Sequence, residues 1–332
     1  MLDLQVPAAT ADPTEHADWL EFSALQAPSS EASAQDLVTA IRRIGSSDAI
    51  PGPAKPEEEP DDTDQHEDWL NGDSDVEVLP LDDAVEREAE ELERIAEDAI
   101  GQLEQREQYL DDQYPFTIDG TLKARPGASE TAYAFLSTVT SFNWRNEDSP
   151  ENAASLFEYL SAAALVRYLG GRNTVCSYDF GFPRRNSPRA FYDAVQQLCQ
   201  HMGEGLGCKA ARSETADVKD DKLDLVAWIP FRDSRPNQLS VFGQCATGAN
   251  WRNKINELQP IDFCKRWLIE QPAMNPSLAF FVPRHIKEDH WPIATNGDRR
   301  LVFDRLRITH LLRDLDEDLA RRCAAWTASV LG

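Results

Sequence analysis

Leu223-Asp224-Leu225-Val226-Ala227-Trp228 and Val241-Phe242-Gly243-Gln244-Cys245-Ala246, the second running on into Gly248-Ala249-Asn250-Trp251-Arg252-Asn253-Lys254, decide how this chain folds. Each contains an apolar run of the length expected for a buried central strand. The polar stretch Arg232-Asp233-Ser234-Arg235-Pro236-Asn237-Gln238 between them reads as a turn, so the pair forms a hairpin. Each strand carries one polar group that a purely structural strand does not need, Asp224 and Gln244. A carboxylate inside an apolar strand is costly unless it is paired or bound to a metal, because its charge loses the solvation of water. Asp224 is therefore the first residue expected to carry chemistry.

Outward from the hairpin, Ser149-Pro150-Glu151 offers a cap, a first-turn proline and a first-turn acid, and Gly170-Gly171 offers a stop, so the spacing predicts a helix between them. Ala154, Phe157, Leu160, Ala164, Leu165 and Tyr168 form its apolar stripe. Glu158 lies at the stripe's edge, about 100° round from Phe157. It is placed either to reach a site at the helix–sheet boundary or to be a solvated flank residue. A strand is expected at 174–180 and a helix from Ser187-Pro188 to about His201. After the hairpin come helices at 250–258 and 262–270, strands at 277–282 and 300–303, and one or two closing helices at 304–331. This mixture of connections predicts an α/β fold, a sheet covered by helices.

The net charge of −25 is unevenly spread. Residues 1–120 contain 33 acidic and 6 basic side chains, which is −27, and leave +2 for the rest. An acidic protein is a poor partner for nucleic acid, but that objection applies here to one segment only. The expected organisation is an acidic, partly disordered segment at 1–80, a helical region at 81–145 and an α/β domain at 146–332. Within the first of these, one helical pattern lies at 36–44, and residues 46–80 are rich in Pro, Asp, Glu, Ser and Gly. His16-Ala17-Asp18-Trp19-Leu20 and His66-Glu67-Asp68-Trp69-Leu70 resemble each other and read either as docking peptides or as a chance likeness. A long helix is expected at 82–110, ending before Pro115, and a second at 130–142. No apolar run is long enough to cross a membrane, and the N-terminus lacks a signal peptide's basic start. The six cysteines show no C-x-x-C pair and no zinc spacing, which reads as reduced thiols in a cytoplasmic protein.

A helix with Glu158, a strand with Asp224, a returning strand with Gln244 and a helix with Lys254 together resemble the restriction-endonuclease-like superfamily of PD-(D/E)xK nucleases. The resemblance covers about residues 150–285. It implies a central mixed sheet flanked by helices and a metal-dependent nuclease site on the hairpin. Asp224 would ligate Mg2+ (or Mn2+), Gln244 would supply an amide oxygen in place of the second carboxylate, and Glu158 would add charge to the metal shell. Phosphodiester hydrolysis calls for a hard cation held by oxygens and a cationic group near the developing charge. The pattern places a lysine two residues after Gln244, where this chain has Ala246. Lys254, one turn into a helix capped by Asn250, is expected to replace it. The wider run D-L-V-A-W … F-G-Q-C-A-T-G-x-N-W also looks like restriction-like proteins encoded near bacterial phage-defence genes. That likeness implies DNA as substrate and a protein partner, such as an ATPase or helicase subunit, docked through the acidic N-terminal region.

Arg184, Arg185 and Arg189 flank a helix start, Arg252 accompanies Lys254, and Arg299, Arg300, Arg305 and Arg307 form a further cluster. They are expected either to meet phosphates or to be solvated charges. Two competing functions stand beside the nuclease. One is a Cys245 nucleophile with His285 or His290, which strand alternation against Gln244 disfavours. The other is a catalytically inactive nuclease-fold protein that binds nucleic acid or docks a partner.

Overall fold

In the computed structural model, the described residues are 5–47, 81–141, 151–181, 188, 190–210, 219–233, 235–295 and 300–331. The hairpin forms as β5 (Leu225–Ile229) and β6 (Leu239–Cys245), paired antiparallel with Leu225 opposite Gly243 and Trp228 opposite Ser240. Gly243 is glycine for a packing reason. A Cβ there would lie 2.8 Å from the Leu225 side chain. With β4 (Cys176–Asp179), β7 (Ser277–Phe281) and β8 (Leu301–Phe303) the sheet has five strands in the order β4-β5-β6-β7-β8. The first three are antiparallel, and β6, β7 and β8 run parallel.

Strand alternation sends successive side chains to opposite faces, and two cores result. Leu225, Ala227, Val241, Ala279 and Phe281 pack beneath α5 (Ala153–Tyr168), α10 (Arg305–Leu311) and α11 (Glu317–Leu331). Val226, Trp228, Phe242 and Leu278 pack beneath α6 (Phe191–Met202) and α8 (Pro260–Trp267). Between β6 and α8 lies a four-residue helix, α7 (Trp251–Lys254), and α9 (Trp291–Thr295) precedes β8.

The N-terminal part is more ordered than its composition suggests. It contains α1 (Pro13–Gln26), β1 (Glu31–Ala32), α2 (Ala34–Ser47), α3 (Leu81–Leu110), β2 (Phe116–Asp119), β3 (Thr121–Ala124) and α4 (Ala132–Ser141). The three short strands make a small antiparallel sheet in the order β1-β3-β2. Asp12 caps α1 by accepting from Thr14 N at 2.9 Å, and Pro13 stands at its first position. His16, Ala17 and Leu20 are buried in this helix, so the first Trp-Leu segment is part of a core and not a free peptide. The second, at 66–70, lies outside the described residues.

An internal ion cluster joins this part to the sheet domain. Arg305 grips Asp18 with two hydrogen bonds of 2.8 and 2.9 Å, and Arg106 meets Asp18 and Glu21 at 2.8 and 2.9 Å. Tyr114 and Tyr133 each donate to Glu21, at 2.7 and 2.6 Å. Both guanidinium groups and Glu21 are fully buried, so each charge depends on the others to replace water.

Several boundaries differ from expectation. The cap of α5 is Asn152, whose side chain accepts from Ala154 N at 2.8 Å; Ser149 and Pro150 lie outside the described residues. Helix α6 begins at Phe191, not at Ser187. The helix expected at 250–258 stops at Lys254, and Asn250 makes no side-chain cap bond. Among the described residues, no helix is long and apolar enough to cross a membrane.

Candidate functional site

The chain enters β5 through a strained turn. Asp221 and Lys222 both have positive φ, 49° and 70°, a region that crowds any residue with a Cβ. Outside contacts hold them there. Asp220 Oδ1 accepts from Lys222 N at 3.0 Å. The Asp221 carboxylate takes Arg266 Nη1 at 2.8 and 2.6 Å and Trp267 Nε1 at 2.6 Å. Asp224 follows at the mouth of three strands. Its N–H donates to Gly243 O at 2.9 Å, and its carbonyl accepts from Phe180 N and Gly181 N at 2.8 and 2.7 Å. Its side-chain Oδ2 accepts from Cys245 N at 2.7 Å. Burial drives the Asp224 carboxyl up to about 7. The Cys245 N–H opposes the rise, the nearby Asp220 charge adds to it, and Lys254 and Lys222 pull it down only in part.

Glu158 arrives from α5 on the neighbouring side, through an interaction that sequence reading missed. A Cβ on Gly181 would lie 2.3 Å from Glu158 Oε2 and 2.9 Å from Oε1. The missing side chain at 181 is thus the space that the Glu158 carboxylate uses, while the Gly181 N–H holds Asp224. Cys245 reports both acids. Its thiol is pushed well above the usual range, first by burial, then by Asp224, then by Glu158. A thiol so placed stays protonated at neutral pH and is a poor nucleophile. The histidines weighed as its base are engaged elsewhere: His285 Nδ1 lies 3.3 Å from Asp304 Oδ2, and His290 Nδ1 lies 3.3 Å from Arg252 Nη2.

Gln244 is buried and held at both ends of its amide. Its Nε2 donates to Glu257 Oε2 at 3.2 Å, and its Oε1 accepts from Leu258 N at 3.2 Å. Lys222 Nζ lies 3.3 Å from the same Glu257 oxygen. The chain Gln244–Glu257–Lys222 therefore ties the segment after α7 to the turn before β5, on either side of Asp224. Lys254 ends α7 and is the stronger of the two lysine influences on Asp224. Ala246 is buried among Trp251, Ile255 and Phe280. A lysine there would lose its solvation in an apolar cluster, which explains why the cations come from 222 and 254.

The arginines divide. Arg252 is exposed, with its guanidinium 4.9 Å from the centre of the Trp251 ring. Arg300 is buried and donates to Ile255 O and, at 2.7 Å, to Asn256 Oδ1, so it fixes the segment after α7. Arg305 is fully buried in the ion cluster, and Arg307 stacks 4.2 Å from the Trp291 ring centre. Arg300 and Arg305 thus serve the interior and do not belong to a solvent-facing basic face. Arg184, Arg185, Arg189 and Arg299 lie outside the described residues.

Among the described residues, no three or more His, Cys, Asp or Glu side chains are arranged to hold a metal ion. The arrangement offers two carboxylates, Asp224 and Glu158, both near Cys245, with Lys254 and Lys222 near Asp224. That donor set suits a hard divalent cation that keeps much of its water and takes its other ligands from a phosphate, as Mg2+ commonly does. No known protein family, curated protein or solved structure matches this chain.

Proposed function

We propose that the chain is a Mg2+- or Mn2+-dependent nuclease of the restriction-endonuclease-like type, acting on DNA phosphodiester bonds. The observation that carries this reading is Asp224. Its carboxyl is raised to about 7 at the mouth of three strands, beside Glu158 and within reach of Lys254 and Lys222. A carboxylate destabilised in this way gains from a bound cation what it has lost from water. The element order α5, β4, α6, β5, β6, α7, α8, β7 also supports the resemblance, since apart from α6, which stands between β4 and β5, it runs helix, three antiparallel strands, helices, parallel strand.

Asp224 and Glu158 would hold the metal ion. When bound, such an ion polarises a phosphate oxygen and lowers the pKa of an attacking water. Lys254 would stabilise the negative charge that develops on the phosphate, and Lys222, held by Glu257, would support it; their electrostatic influence on Asp224 favours these roles. Gln244 would act through its neighbours: it fixes the backbone at Leu258 and the Glu257 carboxylate, which in turn holds Lys222. Membership of a bacterial defence complex, with a partner subunit docked through the acidic N-terminal region, rests on the resemblance of the hairpin.

One observation favours a second reading, a nuclease-fold protein that binds nucleic acid without cutting it. The Gln244 amide oxygen assigned above to the metal accepts from Leu258 N. The deciding experiment incubates the whole chain with supercoiled plasmid, linear duplex, single-stranded DNA and RNA, in Mg2+ or Mn2+, beside Asp224→Ala and Lys254→Ala. Cleavage lost in both variants supports the hairpin site with its displaced lysine. Binding without cleavage by the wild type supports the second reading.

A further inference from the structure

A polar cavity of about 80 Å³ opens between α1 and the segments that follow β6 and β7. It is large enough for several waters or one tetrahedral oxyanion. Arg252, Arg284, Lys287 and His290 line it, with Asp12, which caps α1, and Glu15 and Asp18 of α1 also in its wall. Glu15 is exposed, and the other two carboxylates are already committed: Asp12 pairs with Lys287 at 2.9 Å, and Asp18 is gripped by Arg305 and Arg106. The guanidinium groups are not. Arg284 Nη2 donates to Thr140 O at a long 3.3 Å, and Arg284 Nε is buried without a hydrogen-bond partner among the described residues. Arg252 is oriented by the Trp251 ring and by His290. Burial, with the like charges of Arg305 and Arg252, weakens the hold of Arg284 on its proton, against the opposing carboxylates of Asp18 and Glu15. Two planar forks held together with an unmet N–H are suited to a bidentate oxyanion.

The cavity is joined to the candidate site by α7. Residues two apart on a helix point about 200° from each other, so Arg252 and Lys254 face different sides of one short element. One side is the cavity, and the other approaches Asp224. We propose that this cavity is a phosphate subsite, in which Arg252 and Arg284 hold a phosphate of the nucleic-acid strand next to the one presented to Asp224. The proposal rests on the nuclease reading for its substrate, but the binding of an oxyanion does not depend on cleavage.

The test is calorimetric titration of the full chain with inorganic phosphate in EDTA and low chloride. Competition then follows with a ten-nucleotide strand carrying a 5′-phosphate and with the same strand ending in hydroxyls. Wild type is expected to bind phosphate and to release it to at least one of the strands. Arg252→Ala, an exposed position, and Arg284→Gln are each expected to weaken phosphate binding at least tenfold, with circular dichroism unchanged. Displacement by the phosphorylated strand alone would identify the ligand as a chain end, and displacement by both would identify a backbone phosphate. No phosphate binding by wild type, or equal binding by Arg252→Ala, would overturn the site. Phosphate binding that neither strand displaces would overturn its assignment to nucleic acid. If these results hold while wild type cuts none of the four substrates, the nuclease reading fails and the subsite stands. Cleavage with no phosphate binding gives the reverse.

Discussion

Asp224→Asn isolates the tension at the centre of the candidate site. The Asp224 carboxyl rises from its ordinary 3.8 to about 7 in the folded chain. That is about 3 pKa units at about 1.4 kcal/mol each, so ionised Asp224 costs the metal-free fold up to about 4 kcal/mol. Asp224 is only half-buried, and solvent screening reduces this to about 2 kcal/mol. Because the folded pKa lies above the unfolded one, the folded state binds more protons between about pH 4 and 7, and stability falls as pH rises through that window. Asparagine keeps an oxygen that can accept from Cys245 N and carries no charge. In EDTA, the variant should therefore be the more stable protein at pH 8, by about 2 kcal/mol or about 3 °C in a chain of this length. At pH 4.5 the gap should shrink to about half or less, because much of the penalty is not yet present. Millimolar Mg2+ should narrow the gap at pH 8, since only wild type gains from binding it. Differential scanning fluorimetry at the two pH values, with and without Mg2+, measures all of this. A gap independent of pH, or a variant less stable than wild type at pH 8, would refute the reasoning.

Other perturbations reach different parts of the account. Gly181→Ala should push the Glu158 carboxylate from its place and lower cleavage at least tenfold, with secondary structure unchanged by circular dichroism. Ala246→Lys restores the motif lysine but buries it among Trp251, Ile255 and Phe280, so it should destabilise the chain by about 2 kcal/mol or more in urea and give no gain in activity. Arg305→Ala leaves Asp18 and Glu21 with one guanidinium between them and should cost about 3–5 kcal/mol in the same assay. At pH 8, Cys245 should react with a disulfide reagent at least tenfold more slowly than exposed Cys176, as mass spectrometry of the labelled peptides would report.

The hairpin could be read from the chain because its pattern is local. Val226 and Trp228 alternate with Leu225 and Ala227 inside one short run, and Asp224 stands out against that background. The order of strands and helices from 153 to 281 could be read for the same reason. What escaped depends on partners far away in the sequence. Helix α1 was hidden because its buried face includes His16 and Glu21. Charge on that face signals solvent until Arg106, Arg305, Tyr114 and Tyr133 are known to surround it. Arg300 and Arg305 read as surface for the converse reason: their carboxylate and carbonyl partners come from other elements. Gly181 carried one usable signal, a glycine directly after a strand, but its use by Glu158 joins residues 23 apart on different elements. The left-handed backbone at Lys222 had no sequence signal, since neither glycine nor asparagine stands there.

The most direct test of the central claim is the nicking of supercoiled plasmid by wild type and by Asp224→Asn, each in Mg2+ and in EDTA. The account predicts nicking by wild type in Mg2+ alone, and none by a variant that is folded and more stable than its parent. Nicking by Asp224→Asn at the wild-type rate, or by wild type in EDTA, would contradict it.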